Sequence, residues 1–232
     1  VLCLAWTPCT IVLFPFLPAR KARALARWVT MMGFRFYLAC LSASRRFSFD
    51  MSALDALRDA PPLIIAPNHP CMLDALIVIS RLPNVACVMK TELMDNFFLG
   101  AGARFAWYIR NDPGRRMVHL AIDDVRSGSH LLLFPEGTRS PDGQLQEPKA
   151  GVGFILCKTQ VPVVPARIFG SFEAMGKGRP LRLGTPVTVV FGPPLYPSTY
   201  DEAGAGKDRA QVASDRIMAA ITRLEPPPCR II

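Results

Sequence analysis

Two short stretches carry the side chains best able to move a proton or hold an anion: Asn-His-Pro-Cys-Met-Leu-Asp at 68–74 and Phe-Pro-Glu-Gly-Thr-Arg-Ser at 134–140. His69 and Asp74 stand five positions apart. On a continuous helix that spacing separates them by about 140° around the axis, so they would face apart. Pro70, however, suits the first position of a helix. His69 then sits just outside the helix, and its ring can fold back towards Asp74 in the first turns. A carboxylate on Nδ1–H fixes the imidazole tautomer and leaves Nε2 as a base. Taken alone, the short motif fits a hydrogen-bonded loop histidine equally well.

A His–Asp pair usually serves a nucleophile. No Gly-x-Ser-x-Gly elbow occurs, and Cys71, two residues along at a helix start, is awkward for His69 to reach. The simpler role for His69 is to deprotonate a hydroxyl of the substrate itself. In the second stretch, Glu136, Thr138 and Arg139 surround the backbone amides of Gly137. Arginine binds phosphate through two parallel hydrogen bonds, and glycine allows close backbone approach. Arg110, ending Phe-Ala-Trp-Tyr-Ile-Arg, and Lys149, in Pro-Lys-Ala-Gly, are two more cations on loops after apolar runs. Each alone reads as a solvated charge; together they could hold one phosphate.

Positioning these groups is the work of the elements between them. Short apolar runs at 63–66, 85–89, 105–109, 131–134, 161–168 and 187–191 read as strands. They alternate with helix-like segments at 73–81, 92–100, 115–126, 152–159 and 202–224. Alternating β and α predicts an α/β fold, a mostly parallel sheet with helices on both faces. Sites in such sheets gather at the carboxyl ends of strands. His69, Arg110 and Glu136 to Arg139 each come after a different predicted strand, so three elements deliver polar groups to one edge. The stretch 176–186 reads as a Pro/Gly-rich loop and 225–232 as a tail.

The chain has 232 residues, net charge +9 and mean hydropathy +0.25. No acidic residue precedes Asp50, while Arg20, Lys21, Arg23, Arg27, Arg35, Arg45 and Arg46 do, so the basicity is mostly N-terminal. Basic and apolar residues together suit an anionic membrane surface. Nucleic acid would call for a basic groove or recognition element, and neither is present. Seven scattered cysteines without a Cys-x-x-Cys pair read as free thiols in a reducing compartment. The sequence opens without Met; an unusual start codon and missing upstream residues are both open. Residues 1–19 carry no charge and would make a helix of about 28 Å, near the hydrocarbon thickness. Pro8, Pro15 and Pro18 interrupt it, so a half-inserted helix is as good a reading as a span. The cations at 20–27 would stay on the cytoplasmic side. A second helix over 22–44, rich in apolar residues and free of acid, is expected to touch the membrane too. Residues 1–46 are thus read as a membrane-associating helical segment and 47–232 as the α/β domain.

The stretch Asn-His-Pro-Cys-Met-Leu-Asp resembles the Asn-His-x4-Asp motif of the lysophospholipid acyltransferases, the 1-acylglycerol-3-phosphate acyltransferase family. Phe-Pro-Glu-Gly-Thr-Arg-Ser resembles that family's block residue for residue. Phe-Ala-Trp-Tyr-Ile-Arg-Asn is similar to the weaker block between them, and the run from Pro148 to Ser171 to its Lys-x-Gly helix and Val-Pro strand. Ile109, where Asp is frequent, and Arg167, where a smaller residue is usual, depart from the pattern. The resemblance implies acyl transfer from a thioester, acyl-CoA or acyl carrier protein, to a lysolipid hydroxyl at a membrane. It implies His69 as base and Asp74 as its orienter. It assigns Arg110, Arg139 and Lys149 to the head group, and Glu136, Gly137 and Thr138 to the acceptor site. No metal or bound cofactor is expected, because the thioester already carries the activation. The favoured acceptor is 1-acylglycerol-3-phosphate, giving phosphatidic acid, with a lyso-aminolipid or other lysolipid as alternative. A metal-dependent hydrolase using His69, Asp74, Glu136 and Asp142, and a non-catalytic membrane-binding module, are the more remote readings.

Overall fold

Four successive buried residues, Ile64–Pro67, make a strand with no exposed face. That burial needs cover on both sides of the sheet, which parallel strands joined by helices provide. The computed structural model describes residues 17–43, 48–112, 115–180, 182 and 184–226. In chain order these form α1 (Ala19–Ala43), β1 (Ser48–Asp50), α2 (Ser52–Asp55), β2 (Ile64–Pro67), α3 (Leu73–Ile79), β3 (Val85–Met89), α4 (Thr91–Asp95), α5 (Phe97–Phe105), β4 (Ile109–Arg110), α6 (Arg115–Arg126) and β5 (His130–Leu132). Beyond these come α7 (Ala150–Thr159), β6 (Val163–Phe169), α8 (Ser171–Met175), β7 (Pro186–Phe191), α9 (Pro197–Tyr200), a 3-10 turn (Ala203–Asp208) and α10 (Arg209–Thr222).

The strands form one seven-stranded sheet in the order β1-β7-β6-β2-β5-β3-β4. Every neighbouring pair is parallel except β6 with β7. The fold class is therefore the one expected from the alternation of elements. Side chains on β2 alternate between two cores. Ile65 points into a layer containing residues of α1, α3, α5 and α8, while Ile64 and Ala66 point into one containing residues of α6, α7 and α10. In the second layer α7 and α10 touch at Gly153, where a Cβ would lie 1.7 Å from the Ala210 carbonyl oxygen. Ser214 on α10 accepts from the Gly153 amide at 2.8 Å and donates to the Lys149 carbonyl at 2.9 Å, which fixes the start of α7.

Helix α1 packs on α3 and α5. Ala22, Ala26, Met31 and Leu38 are buried there, whereas Trp28, Met32 and Phe36 on the opposite side are exposed, as is Tyr37. Among the described residues no helix is long and apolar enough to cross a membrane. The uncharged segment 1–19 lies outside the described residues up to position 16, as do Arg45, Arg46 and the end of the tail.

Three expectations differ from the structure. The run 105–109 is not a strand: Phe105 ends α5, Trp107 turns the chain with φ 52°, and only Ile109 and Arg110 join the sheet. The segment 92–100 is two helices, broken at Asn96, whose ψ of 130° is extended. Arg27, counted among the membrane-facing cations, is 2 % exposed and holds α1 to the domain.

Candidate active site

His69 lies two residues beyond the carboxyl end of β2, at the centre of the sheet. Its Nδ1 is 3.1 Å from Asp74 Oδ2. The geometry expected of the motif is present: His69 stands before α3, and Asp74 sits in that helix's first turn. The same Asp74 oxygen accepts from the Cys71 amide at 2.6 Å. Asp74 is fully buried, while the His69 side chain keeps 17 % of its surface. With Nδ1 occupied, Nε2 is the nitrogen left for a substrate.

The second motif grips His69 from three sides. Glu136 Oε1 accepts from the His69 amide at 2.9 Å, and the Ser140 amide donates to the His69 carbonyl at 2.9 Å. The imidazole stacks on Phe134, with ring centres 3.8 Å apart. Glu136 Oε2 accepts from the Gln146 amide at 3.3 Å, so both its oxygens brace backbone. Glu136 is thus placed to hold the base loop, and burial holds its carboxyl above the ordinary range. Gly137 permits the turn: its φ is +68°, and an added Cβ would stand 3.1 Å from Lys149 Cγ.

Burial pushes the Asp74 carboxyl upward, while the His69 contact and the Cys71 amide pull it back. Burial, and then the Asp74 charge, push the Cys71 thiol up to about 12. A thiol so hard to ionise is a poor nucleophile at neutral pH, which argues against an acyl-cysteine at this position.

The cations do not all reach one point. Arg139 adjoins Ser140, close enough to favour a Cys71 thiolate, and has no ion-pair partner among the described residues. Thr138 and Lys149 line a cavity of about 450 Å3 with Glu136, Pro141, Leu145, Gln146 and Glu147. Arg110 stands elsewhere. Ile65, Leu132 and Cys87 are register partners, and two residues on, Pro67, Met89 and Arg110 end at one level. Three strand spacings separate Arg110 from Pro67, about 14 Å. Its guanidinium is engaged by Asp95 at 2.8 and 3.1 Å and by Asp112 at 3.4 Å.

Sequence reasoning missed Lys90, which sits directly after β3 at the same edge and lines a cavity of about 410 Å3 with Thr91, Glu92, Asn111 and Asp112. Its signal is the one that marked His69 and Arg110, a polar residue just past the carboxyl end of a strand. Asn68 was missed too. Its side-chain amide pairs with both backbone groups of Ile168 at 2.7 and 3.3 Å and ties the histidine loop to β6. Asp142 is turned into its own loop, accepting from Ser140 Oγ and the Gln144 amide. Among the described residues no three His, Cys, Asp or Glu side chains come together in a way that would hold a metal ion.

A helix-covered, mostly parallel sheet with a His–Asp pair at its central carboxyl edge places the chain in the α/β class. The chain belongs to the Acyltransferase family, whose profile matches residues 48–169. It is similar to the 1-acyl-sn-glycerol-3-phosphate acyltransferase BAT2, chloroplastic, of Brassica napus, at 30 % identity over 70 % of this chain and 49 % of that protein. It is also similar to human 1-acyl-sn-glycerol-3-phosphate acyltransferase beta, at 32 % identity over 51 % of this chain and 45 % of the other. The chain spans about half the length of these two relatives. Its fold resembles the crystal structure of the 1-acyl-sn-glycerophosphate acyltransferase PlsC of Thermotoga maritima, with a TM-score of 0.65, 22 % identity, and coverage of 94 % of this chain and 89 % of that one.

Proposed function

We propose that the protein transfers a fatty acyl chain from a thioester, acyl-CoA or acyl carrier protein, to the free hydroxyl of 1-acylglycerol-3-phosphate, giving phosphatidic acid. The observation that carries this reading is the His69–Asp74 pair, with one imidazole nitrogen held by a buried carboxylate and the other left for substrate. His69 Nε2 takes the proton of the acceptor hydroxyl as its oxygen attacks the thioester carbonyl. Asp74 stabilises the imidazolium so formed. The tetrahedral intermediate then collapses, the C–S bond breaks, and the departing thiolate takes the proton back from the imidazolium. The thioester supplies the activation, so this route calls for no metal or bound cofactor.

Acceptor choice rests on the cations. Arg139, beside His69 and without an ion pair among the described residues, suits a phosphate one glycerol carbon from the reacting hydroxyl. Lys149 lines a cavity with Glu136 and Thr138 of the same motif, and Lys90 lines a second one past the end of β3. The names of the relatives, 1-acyl-sn-glycerol-3-phosphate acyltransferases, agree with that acceptor.

Such an acceptor arrives from a bilayer. The exposed Trp28, Met32, Phe36 and Tyr37 of α1, with exposed Arg20, Lys21 and Arg35 on the same helix, suit an anionic interface. Residues 1–46 are the membrane-associating part and 47–232 the acyltransferase domain in this reading, with the site on the cytoplasmic face. The test is an acyl-transfer assay on membranes holding the protein, with a panel of lysolipids and both donor classes, read by mass spectrometry. Label appearing in phosphatidic acid above all other products supports the assignment. Transfer to a lyso-aminolipid in preference would replace the acceptor but keep the reaction, and hydrolysis without transfer would overturn both.

A further inference from the structure

We infer that Ser171 is a positioning residue of the His69–Asp74 dyad, its hydroxyl serving the second oxygen of the Asp74 carboxylate. This rests on the acyl-transfer reading of the dyad.

The starting point is an imbalance around Asp74. Its Oδ2 receives two donors, His69 Nδ1 and the Cys71 amide. Its Oδ1 is buried and has no hydrogen-bond partner. An orphaned carboxylate oxygen in a dry interior is costly, and native folds rarely leave one. Ser171 presents the complementary imbalance: it is fully buried, and its Oγ also lacks a partner. The two lie on elements that pack together, α3 and α8. The Ser171 hydroxyl is near enough to favour the ionised form of Asp74, behind burial, the His69 contact and the Cys71 amide in size. A hydrogen bond from the Ser171 hydroxyl to Oδ1 would satisfy both atoms, with a bond of the strong, charge-assisted kind.

The backbone holds Ser171 in place for this. Gly170 turns the chain with φ +78°, where an added Cβ would lie 1.9 Å from the Pro186 carbonyl oxygen. Three residues before Ser171, Ile168 is pinned by Asn68, the neighbour of His69. The loop that carries the base and the turn that carries Ser171 are therefore fixed to each other. The other titratable or charged groups facing the pair are Cys71, Glu136 and Arg139. Neither Glu136 nor Arg139 hydrogen-bonds Asp74, and Cys71 does so only through its backbone.

The sign of the effect is set by Asp74. Turnover needs its carboxylate ionised. Burial already raises the pH at which it takes a proton, and Ser171 opposes that rise. Removing the hydroxyl lets the dyad protonate at higher pH. The experiment compares the intact protein with Ser171→Ala, Ser171→Thr, Asp74→Asn and the Ser171→Ala/Asp74→Asn pair, in membranes, across the pH range. Ser171→Ala should lower kcat roughly tenfold at neutral pH, the scale of a hydrogen bond to a charged group. It should leave KM for both substrates in place and move the acid limb of the kcat profile to higher pH. Ser171→Thr, which keeps a hydroxyl, should restore the limb. Added to Asp74→Asn, Ser171→Ala should cost nothing further. A Ser171→Ala profile superimposable on the intact enzyme's would overturn the inference, as would an equal loss with and without the Asp74 carboxylate. A fully active His69→Ala protein would instead remove the reading on which the inference rests.

Discussion

Arg27 of the first helix crosses the interior to Asp124 of α6 and meets both of its carboxylate oxygens, at 3.0 and 2.8 Å. The guanidinium also donates to Ser129 Oγ at 2.8 Å, Asn84 Oδ1 at 3.1 Å and the Ala106 carbonyl at 2.9 Å. The helix that offers an apolar stripe outward is thus bolted to the α/β body by a buried, well-partnered charge.

Removing Arg27 leaves Asp124 buried with only Arg23 at 3.3 Å and Ser129 Oγ at 3.1 Å to compensate it, at a cost of up to about 3–5 kcal/mol. Arg27→Met should therefore lower unfolding stability by that amount in chemical denaturation. Arg27→Met with Asp124→Leu should cost less than Arg27→Met alone, because neither charge then remains. A single substitution that leaves the unfolding midpoint unmoved would show the contact to be idle.

If His69 is the base, His69→Ala should cut turnover by about 10²–10⁴ with the fold intact. Asp74→Asn should also lose most activity, yet it should raise stability. The Asp74 carboxyl is pushed up by burial, so its ionised form opposes folding. That penalty is absent below the ordinary carboxylate range, grows as pH rises towards the folded-state value, and is constant above it. The Asn variant should accordingly unfold later than the intact protein at neutral and alkaline pH, with the gap closing in acid. Equal midpoints at all pH values would contradict the burial argument.

The cations should separate by position. Arg139 adjoins the base loop, so Arg139→Lys, which loses the planar fork, should raise KM for the lysolipid by about tenfold with less change for the thioester. Arg110 lies three strands away and is engaged by Asp95 and Asp112, so Arg110→Lys should change acceptor KM less. Steady-state kinetics with acceptor and donor varied in turn decide this. The opposite ranking would bring Arg110 to the head group through a rearrangement of the β4 edge.

The sequence carried the site further than it carried the tertiary contacts. His69 and Asp74 are separated by one turn of chain, so Pro70 and the spacing were enough to expect their meeting. The bracing of His69 by Glu136 spans 67 positions, and the Arg27–Asp124 pair spans 97; no local pattern encodes either. The missed strand boundary has a similar cause. Phe-Ala-Trp-Tyr-Ile is apolar throughout, and period alone does not separate a helix end from a buried strand. The positive φ at Trp107, where Arg27 also holds the Ala106 carbonyl, is what ends the helix there. Ser48–Asp50 was missed because an edge strand of three residues, only half-buried at Phe49, leaves almost no alternation to read.

The same burial divides the N-terminal cations into two sets and changes what a charge-neutralisation experiment should show. Arg27 is buried, and Arg23 reaches Asp124 at 3.3 Å and Ser127 at 3.1 Å, so both are spent on the fold. Arg20, Lys21 and Arg35 are exposed. Each contributes about 1 kcal/mol near an anionic leaflet. Replacing these three by Gln should weaken binding to anionic vesicles by about a hundredfold in the limit of full contact, with little effect on neutral ones. The apolar stripe acts independently of lipid charge. Trp28 and Phe36 are 47 % and 59 % exposed, two turns apart on one side of α1. Trp28→Ser with Phe36→Ser should weaken binding to both vesicle types, by about 2–4 kcal/mol if both rings enter the interface. Neither variant touches the buried side of α1, so the thermal transition in detergent should be unchanged. Co-sedimentation of both variants at intact-protein levels would place the membrane contact elsewhere in the chain.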